Sequence, residues 1–465
     1  MRAASLNLGQ EPVRRLLLKL SIPSIASNVV NMIYNLADRM YIGHMYPAES
    51  AGKLALTALG ICAPIIMIIS AFSALLAEGG APKAAIQDGQ GNRDGAERIM
   101  ANSFVLLITA SIALTGIFLY LSHPILLAFG ASNLTIGYAD AYIRIYLIGT
   151  VFVQITAGMT AYIIAQGFTA VSLQRTLIGA GLNIILDPIF IYVLDLGVQG
   201  AALATVISQA VSCILVLKFL TGNVTKWKLR WKNFRLQPSV FMPTLALGLS
   251  PFTMRSTESL LSVCFNSSLI KYGGDLAVGT LSIMSSIVQL SLMPLHGFTQ
   301  GAQPIISYNY GAGNFQRVKE AFSALMRICV LYPTALWILV ELFPNIFILI
   351  FNNDEEFVSF ASQSLRIFMA SAFIYGIQSG CQSSFVALGN APVSLFLAIY
   401  RKFILLIPLI YILPHFFENK TFAVYLSQPI SDFIAAITTA IVFYFQFKKL
   451  SIKMKHSPAE NTYQN

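Results

Sequence analysis

The sequence predicts an all-α integral membrane protein with twelve transmembrane helices in two six-helix lobes related by a parallel internal repeat. Composition is the first reason: 56% of the residues are hydrophobic, 11% are charged and the mean hydropathy is +0.69. Soluble domains of this length could neither bury that much apolar surface nor coat their outside with so few charges. The second reason is that apolar stretches long enough to cross about 30 Å of hydrocarbon recur along the whole chain. The third is that the chain matches itself at a constant offset.

A polar leader, 1–15, carries Arg14 and Arg15 ahead of the first span, 16–44. It has no small-residue cleavage signature, so that helix is expected to stay in the protein. Spans at 55–82, 100–128, 137–165, 170–194 and 199–221 complete the first lobe, 16–221. A basic linker, 222–238, follows, with Lys226, Lys228, Arg230, Lys232 and Arg235. The second lobe, 239–447, has spans at 239–270, 276–304, 321–350, 358–387, 393–417 and 421–447, with a tail at 448–465. Bases gather in the linker, after the second span (Lys83, Arg93, Arg98) and after the eighth (Arg317, Lys319). The alternate loops hold little more than Lys53, Lys271 and Lys420, beside Asp354, Glu355 and Glu356. By the positive-inside rule both termini should face the cytoplasm; the expected location is the inner membrane of a prokaryote. Topology and anionic lipid account for the net charge of +10 without nucleic acid, and "KWKLRWKNFR" reads as an interfacial linker.

A shift of 222 residues brings "EGGAP" onto "QGAQP" (Gly79 on Gly301, Pro82 on Pro304), "GQGN" onto "GAGN", "YIRI" onto "SLRI" (Arg144 on Arg366) and "AQGFTAVSL" onto "ALGNAPVSL". A shift of 228 brings Pro23 onto Pro251 and Asp38 onto Asn266. Six helices per copy is an even number, so both copies enter from one side, as in a parallel repeat about the membrane normal. Two like lobes suit a transporter that opens alternately to each side.

Ionised groups inside membrane helices cost at least about 2.5–3.5 kcal/mol on insertion scales and usually have work to do. Those read from the sequence are Asp38, Arg39, Arg144, Asp187, Arg255, Glu258, Arg366, Arg401 and Lys402. Asp38 shares a helical face with Tyr34 and Asn35, whereas Arg39 points about 100° away. In "GLNIILDPIFIY", Asn183 and Asp187 stack four apart, and Pro188 frees the carbonyl of Ile184. A carboxylate, an amide and a freed carbonyl can hold a proton or a small hard cation through oxygen. Bracing a proline kink is the structural alternative for Asp187. Arg255 and Glu258, three apart, can pair within one helix or face a substrate. Arg144 and Arg366 read as braces; Arg401 and Lys402 can snorkel or serve an anionic group.

Cys62, Cys213, Cys264, Cys329 and Cys381 are odd in number and widely spaced, giving neither a disulfide framework nor a zinc site, and the five histidines are scattered. The glycines of "GQGN" and "GAGN" follow no strand and lack the GKS or GKT ending, so nucleotide binding is not expected. No Ser-His-Asp or Cys-His order stands out, so no catalytic residue, no cofactor and no enzyme activity is expected.

These motifs together resemble the multidrug and toxic-compound extrusion family, MATE. The resemblance runs from about residue 12 to 450 and rests on "MIYNLADRMYIGH", "AQGFT", "GLNIILDPIFIYVLDLGVQGAALATVISQ", "AQPIISYNYGAGN" and "YRKFILLIPLIYILP". It implies a twelve-helix, two-lobe fold and H+- or Na+-driven antiport of bulky, mostly cationic compounds. Carried over residue by residue, Asp38 matches the acidic residue of the family's first helix, with Tyr34 one turn before it. Asn183 and Asp187 match the amide and carboxylate of the fifth helix, and Thr205 the sixth-helix threonine. Thr160 stands where many members have asparagine. Glu258 matches a seventh-helix glutamate, but the tenth-helix aspartate of the members with a carboxyl-lobe site is absent from "FIYGIQSGCQSSF", which offers Gln378 and Gln382. Coupling is therefore expected in the amino lobe, at Asp38, Asp187, Asn183, Thr205, Tyr34 and Thr160, with any Na+ held by Asp38, Asn183 and Asp187. Glu258, Arg255, Gln378 and Gln382 are the carboxyl-lobe and substrate candidates. Organic cations, other amphiphilic drugs and membrane lipids are the expected partners of a monomer. The rival reading is a flippase for lipid-linked saccharides or other anionic amphiphiles, for which Arg255, Arg401 and Lys402 speak.

Overall fold

Helix Pro238–Gly311 runs for 74 residues, which at 1.5 Å per residue is about 110 Å, several times the thickness of a bilayer core. Gly274, at φ 62 and ψ −159, divides it. An L side chain is disfavoured at that φ, so the glycine turns one continuous stretch into two spans. The computed structural model describes residues 6–45, 49–351 and 353–455; the start of the expected leader, 1–5, and the end of the expected tail, 456–465, lie outside them.

Among the described residues, nine helices are long and apolar enough to cross a membrane: Val13–Gly43, Gly52–Gly89, Arg93–Ala128, Thr169–Val193, Gly197–Thr221, Pro238–Gly311, Phe315–Leu342, Ala391–His415 and Lys420–Ile452. Two bent pairs, Ile136–Ile148 with Thr150–Ala165 at 56° and Glu355–Phe368 with Ala372–Ala387 at 46°, raise the number to eleven. With Pro238–Gly311 counted twice the protein has the twelve spans its sequence predicts, called helices one to twelve in chain order; no strand occurs among the described residues. Large apolar side chains stay exposed along them, Ile22 at 60%, Ile112 at 67% and Phe445 at 64% among them, as lipid-facing surfaces require.

Among the described residues, three helices contain a π-helical turn: Ala74–Glu78, Ile189–Val193 and Tyr400–Leu406. Each contains or directly follows buried or paired charge: Glu78 in the first, Asp187 just before the second, and Arg401 and Lys402 in the third. Such turns re-aim side chains at the expense of regular backbone bonding, and they gather at functional positions.

The chain packs as two compact units, Met1–Asn7 with Ile22–Arg255, and Leu8–Ser21 with Ser256–Asn465. In the first unit, one apolar cluster around Met100, Tyr162 and Trp227 and another around Ile65, Ile143 and Ala201 form the core. The basic linker is strapped to this unit. Gln166 Oε1 accepts from Thr225 Oγ1 at 2.8 Å and from the backbone N–H groups of Lys226 and Trp227 at 2.8 and 3.0 Å. Glu97 takes the N–H of Lys228 at 2.9 Å and lies 3.3 Å from Arg230. Trp227 is fully buried while Trp231 is exposed, so only part of the aromatic-basic stretch behaves as an interfacial segment. Burial pushes the Lys226 ammonium below the usual lysine range.

In the second unit the core lies around Met284, Leu365 and Tyr425, with a stack of Phe322, Phe443 and Phe447 beside Phe385. The early segment packs here: Leu8 is 2% exposed, and its carbonyl accepts from Asn309 Nδ2 at 2.9 Å and Arg317 Nη2 at 3.2 Å.

Candidate functional site

Helices one and five of the first unit are tied together near their ends: Tyr192 donates its hydroxyl proton to the carbonyl of Tyr41 at 2.6 Å, and the two rings meet edge to face at 6.4 Å. Tyr41 is one turn beyond Asp38, and Tyr192 follows Asp187 by five residues. This pairing brings the two carboxylates within electrostatic reach of each other. Asp187 is fully buried and Asp38 is 9% exposed. Helix six closes on the π-turn after Pro188. A Cβ on Gly200 would fall 2.6 Å from the carbonyl of Phe190, so only glycine allows this approach, which sets Thr205 beside Asn183.

The donor set is short of donors. Asn183 Nδ2 donates to Asp187 Oδ1 at 3.2 Å and to Thr205 Oγ1 at 3.5 Å. Asp187 Oδ2, Asn183 Oδ1 and Asp38 Oδ1 are buried and have no partner among the described residues. Three acceptors without donors, two of them on carboxylates, form an oxygen-rich place that suits a proton or a small hard cation. Among the described residues no group of three or more His, Cys, Asp and Glu side chains is arranged to hold a metal ion. Tyr34 is half-buried at this site. Tyr142 and Tyr146, stacked at 6.3 Å, line it from helix four, Tyr142 within electrostatic reach of Asp38. Thr160 is bonded elsewhere: it donates to the carbonyl of Thr156 and accepts from Arg175 Nη1 and Nη2 at 3.4 and 3.3 Å. Asn35 is exposed and donates to the carbonyl of Asn31, and Arg39 is exposed as well.

The second unit holds a different cluster. Lys402 Nζ lies 2.6 Å from Glu258 Oε1, and Arg401 reaches Asp432 Oδ1 through both Nε and Nη2 at 2.7 Å. Gln428 donates to Asp432 Oδ2 at 2.8 Å, and the Arg401 guanidinium stands 4.9 Å from the ring centre of Tyr375. Of the two roles open to Arg255 and Glu258, the pair within one helix does not form. Arg255, in the first unit, pairs with Glu78 and donates to Ser70 Oγ at 3.2 Å, whereas Glu258 takes Lys402. An arginine placed before a glutamate is the weaker order for an intrahelical pair, and buried Lys402 needs a carboxylate more than the half-exposed Arg255 does. Gln378 is 2% exposed and its Oε1 lacks a partner, while Gln382 Nε2 donates to the carbonyl of Ser394 at 2.7 Å. Arg144 pairs with Asp140 at 2.7 Å, and Arg366 donates to the carbonyl of Glu341 at 3.0 Å.

The reading of the sequence passed over Arg175, Asp432 and Glu78, together with Tyr142 and Tyr146. Arg175, 5% exposed with an unpartnered Nε, and Asp432, 8% exposed, satisfy the same criterion that singled out Asp187, a charge inside an apolar helix.

Twelve apolar spans in two six-helix repeats, with charge buried in each, define a multi-pass membrane transporter. The chain belongs to the MATE family: residues 23–189 and 252–412 match the family described as MatE. Among its relatives, the multidrug export protein MepA of Staphylococcus aureus (strain MSSA476) is 24% identical over 446 residues, 95% of this chain and 96% of the relative. MepA of Staphylococcus haemolyticus (strain JCSC1435) is 23% identical over the same shares. The fold is that of a multidrug resistance MATE transporter of the MOP superfamily solved in its outward-facing conformation, with a TM-score of 0.89 and 23% identity over 97% of this chain and 99% of the other. It equally matches a MOP superfamily transporter from Pyrococcus furiosus Vc1 (DSM3638), whose reversed pocket polarity suggests a different function, with a TM-score of 0.88 and 23% identity over the same shares.

Proposed function

We propose that this protein is a cation-coupled exporter of bulky, mostly cationic organic compounds, with Asp38, Asp187, Asn183 and Thr205 taking up the coupling ion, H+ or Na+. One observation carries the reading: Asp38 Oδ1, Asp187 Oδ2 and Asn183 Oδ1 are buried without a donor among the described residues, Asn183 is bonded to Asp187, and the two carboxylates are within electrostatic reach of each other. Two carboxylates close together in a low dielectric are costly when both are charged, so ion uptake relieves a cost already present in the fold. The loaded and empty site then prefer different arrangements of the protein, and the ion gradient biases the cycle toward release of the compound outside. The relatives named as multidrug export proteins support the substrate class. For the flippase alternative, Arg255, Arg401 and Lys402 each already face a carboxylate, which leaves fewer free cations for an anionic head group. On this reading the protein is a monomer in the inner membrane with both termini in the cytoplasm.

The test is uptake of a fluorescent organic cation into inverted vesicles, energised in turn by a proton and a sodium gradient, with Asp38→Asn beside the unaltered protein. Uptake under one gradient and its loss in Asp38→Asn is the expected result; unchanged uptake by that variant overturns the assignment.

A further inference from the structure

The two repeats treat one arginine differently. In the first, Arg144 Nε lies 2.7 Å from Asp140 Oδ2, four residues earlier, and Ser122 Oγ donates to Asp140 Oδ1 at 3.2 Å. The shift of 222 that places Arg144 on Arg366 places Asp140 on Ser362. The carboxylate is therefore missing from the second repeat, and among the described residues no acidic group forms an ion pair with Arg366, whose Nε meets only the carbonyl of Glu341. Ser362 is 5% exposed and its Oγ has no partner.

Where the carboxylate is missing there is a cavity. About 640 Å³ of space at the junction of helices nine and ten is lined by Arg366, Ser362, Asn345 and Glu355, a volume in the range of small-molecule sites. One wall is apolar and open: Phe343 is 52% exposed, Ile346 59% and Leu349 48%. Leu342 is the last residue of helix nine and Glu355 the first of helix ten, so the cavity sits at the end of two spans, at the depth where lipid head groups begin.

We propose that this cavity binds the zwitterionic head group of a membrane phospholipid, a phosphate carrying a primary ammonium. The Arg366 guanidinium supplies a planar fork for phosphate oxygens, and the Ser362 hydroxyl donates to a third. Glu355, on the same cavity, takes the ammonium and opposes a purely anionic head group. The acyl chains lie along Phe343, Ile346 and Leu349. Free phosphate shares the anionic chemistry but would leave that wall without a partner.

Native mass spectrometry of the full-length protein with equal amounts of phosphatidylethanolamine, phosphatidylglycerol and phosphatidylcholine tests the proposal. The unaltered protein should retain the ethanolamine lipid preferentially. Arg366→Gln should weaken that retention at least tenfold. Ser362→Asp should do the same in a folded protein, because it recreates the internal ion pair of the first repeat, and Glu355→Gln should erase the preference over phosphatidylglycerol. Equal retention by Arg366→Gln and Ser362→Asp overturns the site. Thermal stabilisation by inorganic phosphate alone, equal to that by lipid, overturns the lipid as its ligand.

Discussion

Among the described residues, the first unit buries carboxylates deep in helices one and five with no base bonded to them, and the second matches its buried cations Arg401 and Lys402 to carboxylates. Both units descend from one repeat, yet the charges stand at different positions. Arg401 and Lys402 fall on Gly179 and Ala180 of the first copy, and Asp38 falls on Asn266 of the second. A buried charge without a partner carries a cost of several kcal/mol, whereas a well-bonded pair roughly balances its own desolvation. On the proposed function the first unit is the one that takes up a cation, whereas the charges of the second neutralise one another. On the proposed function, like scaffolds carry different tasks in the two copies.

The sharpest way to break this contrast is to damage the settled side. Arg401→Met leaves Asp432 buried with Gln428 alone and should cost about 3–5 kcal/mol, read as a large fall in the thermal midpoint of the purified protein. Changing both Arg401 and Asp432 to leucine should recover most of that loss; if it does not, the cluster is more than a self-neutralised pair. Next comes the demanding side. Asp187→Asn should lower gradient-driven uptake about 100-fold, since even outer partners of an ion site are worth roughly 10–100-fold, while leaving the thermal midpoint unchanged or raised. A variant that transports normally would remove the functional half of the comparison. Lys402→Met should be milder, about 1–3 kcal/mol of stability, because the Glu258 side chain it strands is 57% exposed and less desolvated than Asp432. Thr205→Val removes only a 3.5 Å contact to Asn183 and should cost less than about 1 kcal/mol, a few-fold change in the apparent affinity for the coupling ion.

Much of this was legible beforehand, for identifiable reasons. Span lengths follow from hydropathy, and the grouping of Asn183 with Asp187 follows from helical spacing within a single turn. Thr205 came from a family motif, and Gly200, five residues earlier, shows the packing behind it. Arg401–Asp432 joins residues 31 apart, Lys402–Glu258 residues 144 apart and Arg255–Glu78 residues 177 apart. Periodicity cannot see across such distances, so Glu258, the nearest opposite charge, is the one partner that spacing offers Arg255. The π-helical turns that aim these charges are invisible to a reading based on 3.6 residues per turn.

The placing of Leu8–Ser21 in the second unit has a consequence for biosynthesis. The carbonyl of Leu8 waits for its partner Asn309, which lies 301 residues later, about 15–60 s of synthesis at typical rates. The first unit also waits, for helix seven up to Arg255. Neither half of the gene therefore encodes a finished half of the protein. Two fragments split at the linker and expressed together should assemble less well than the sequence symmetry suggests, and moving the split to follow Arg255 should help only the first.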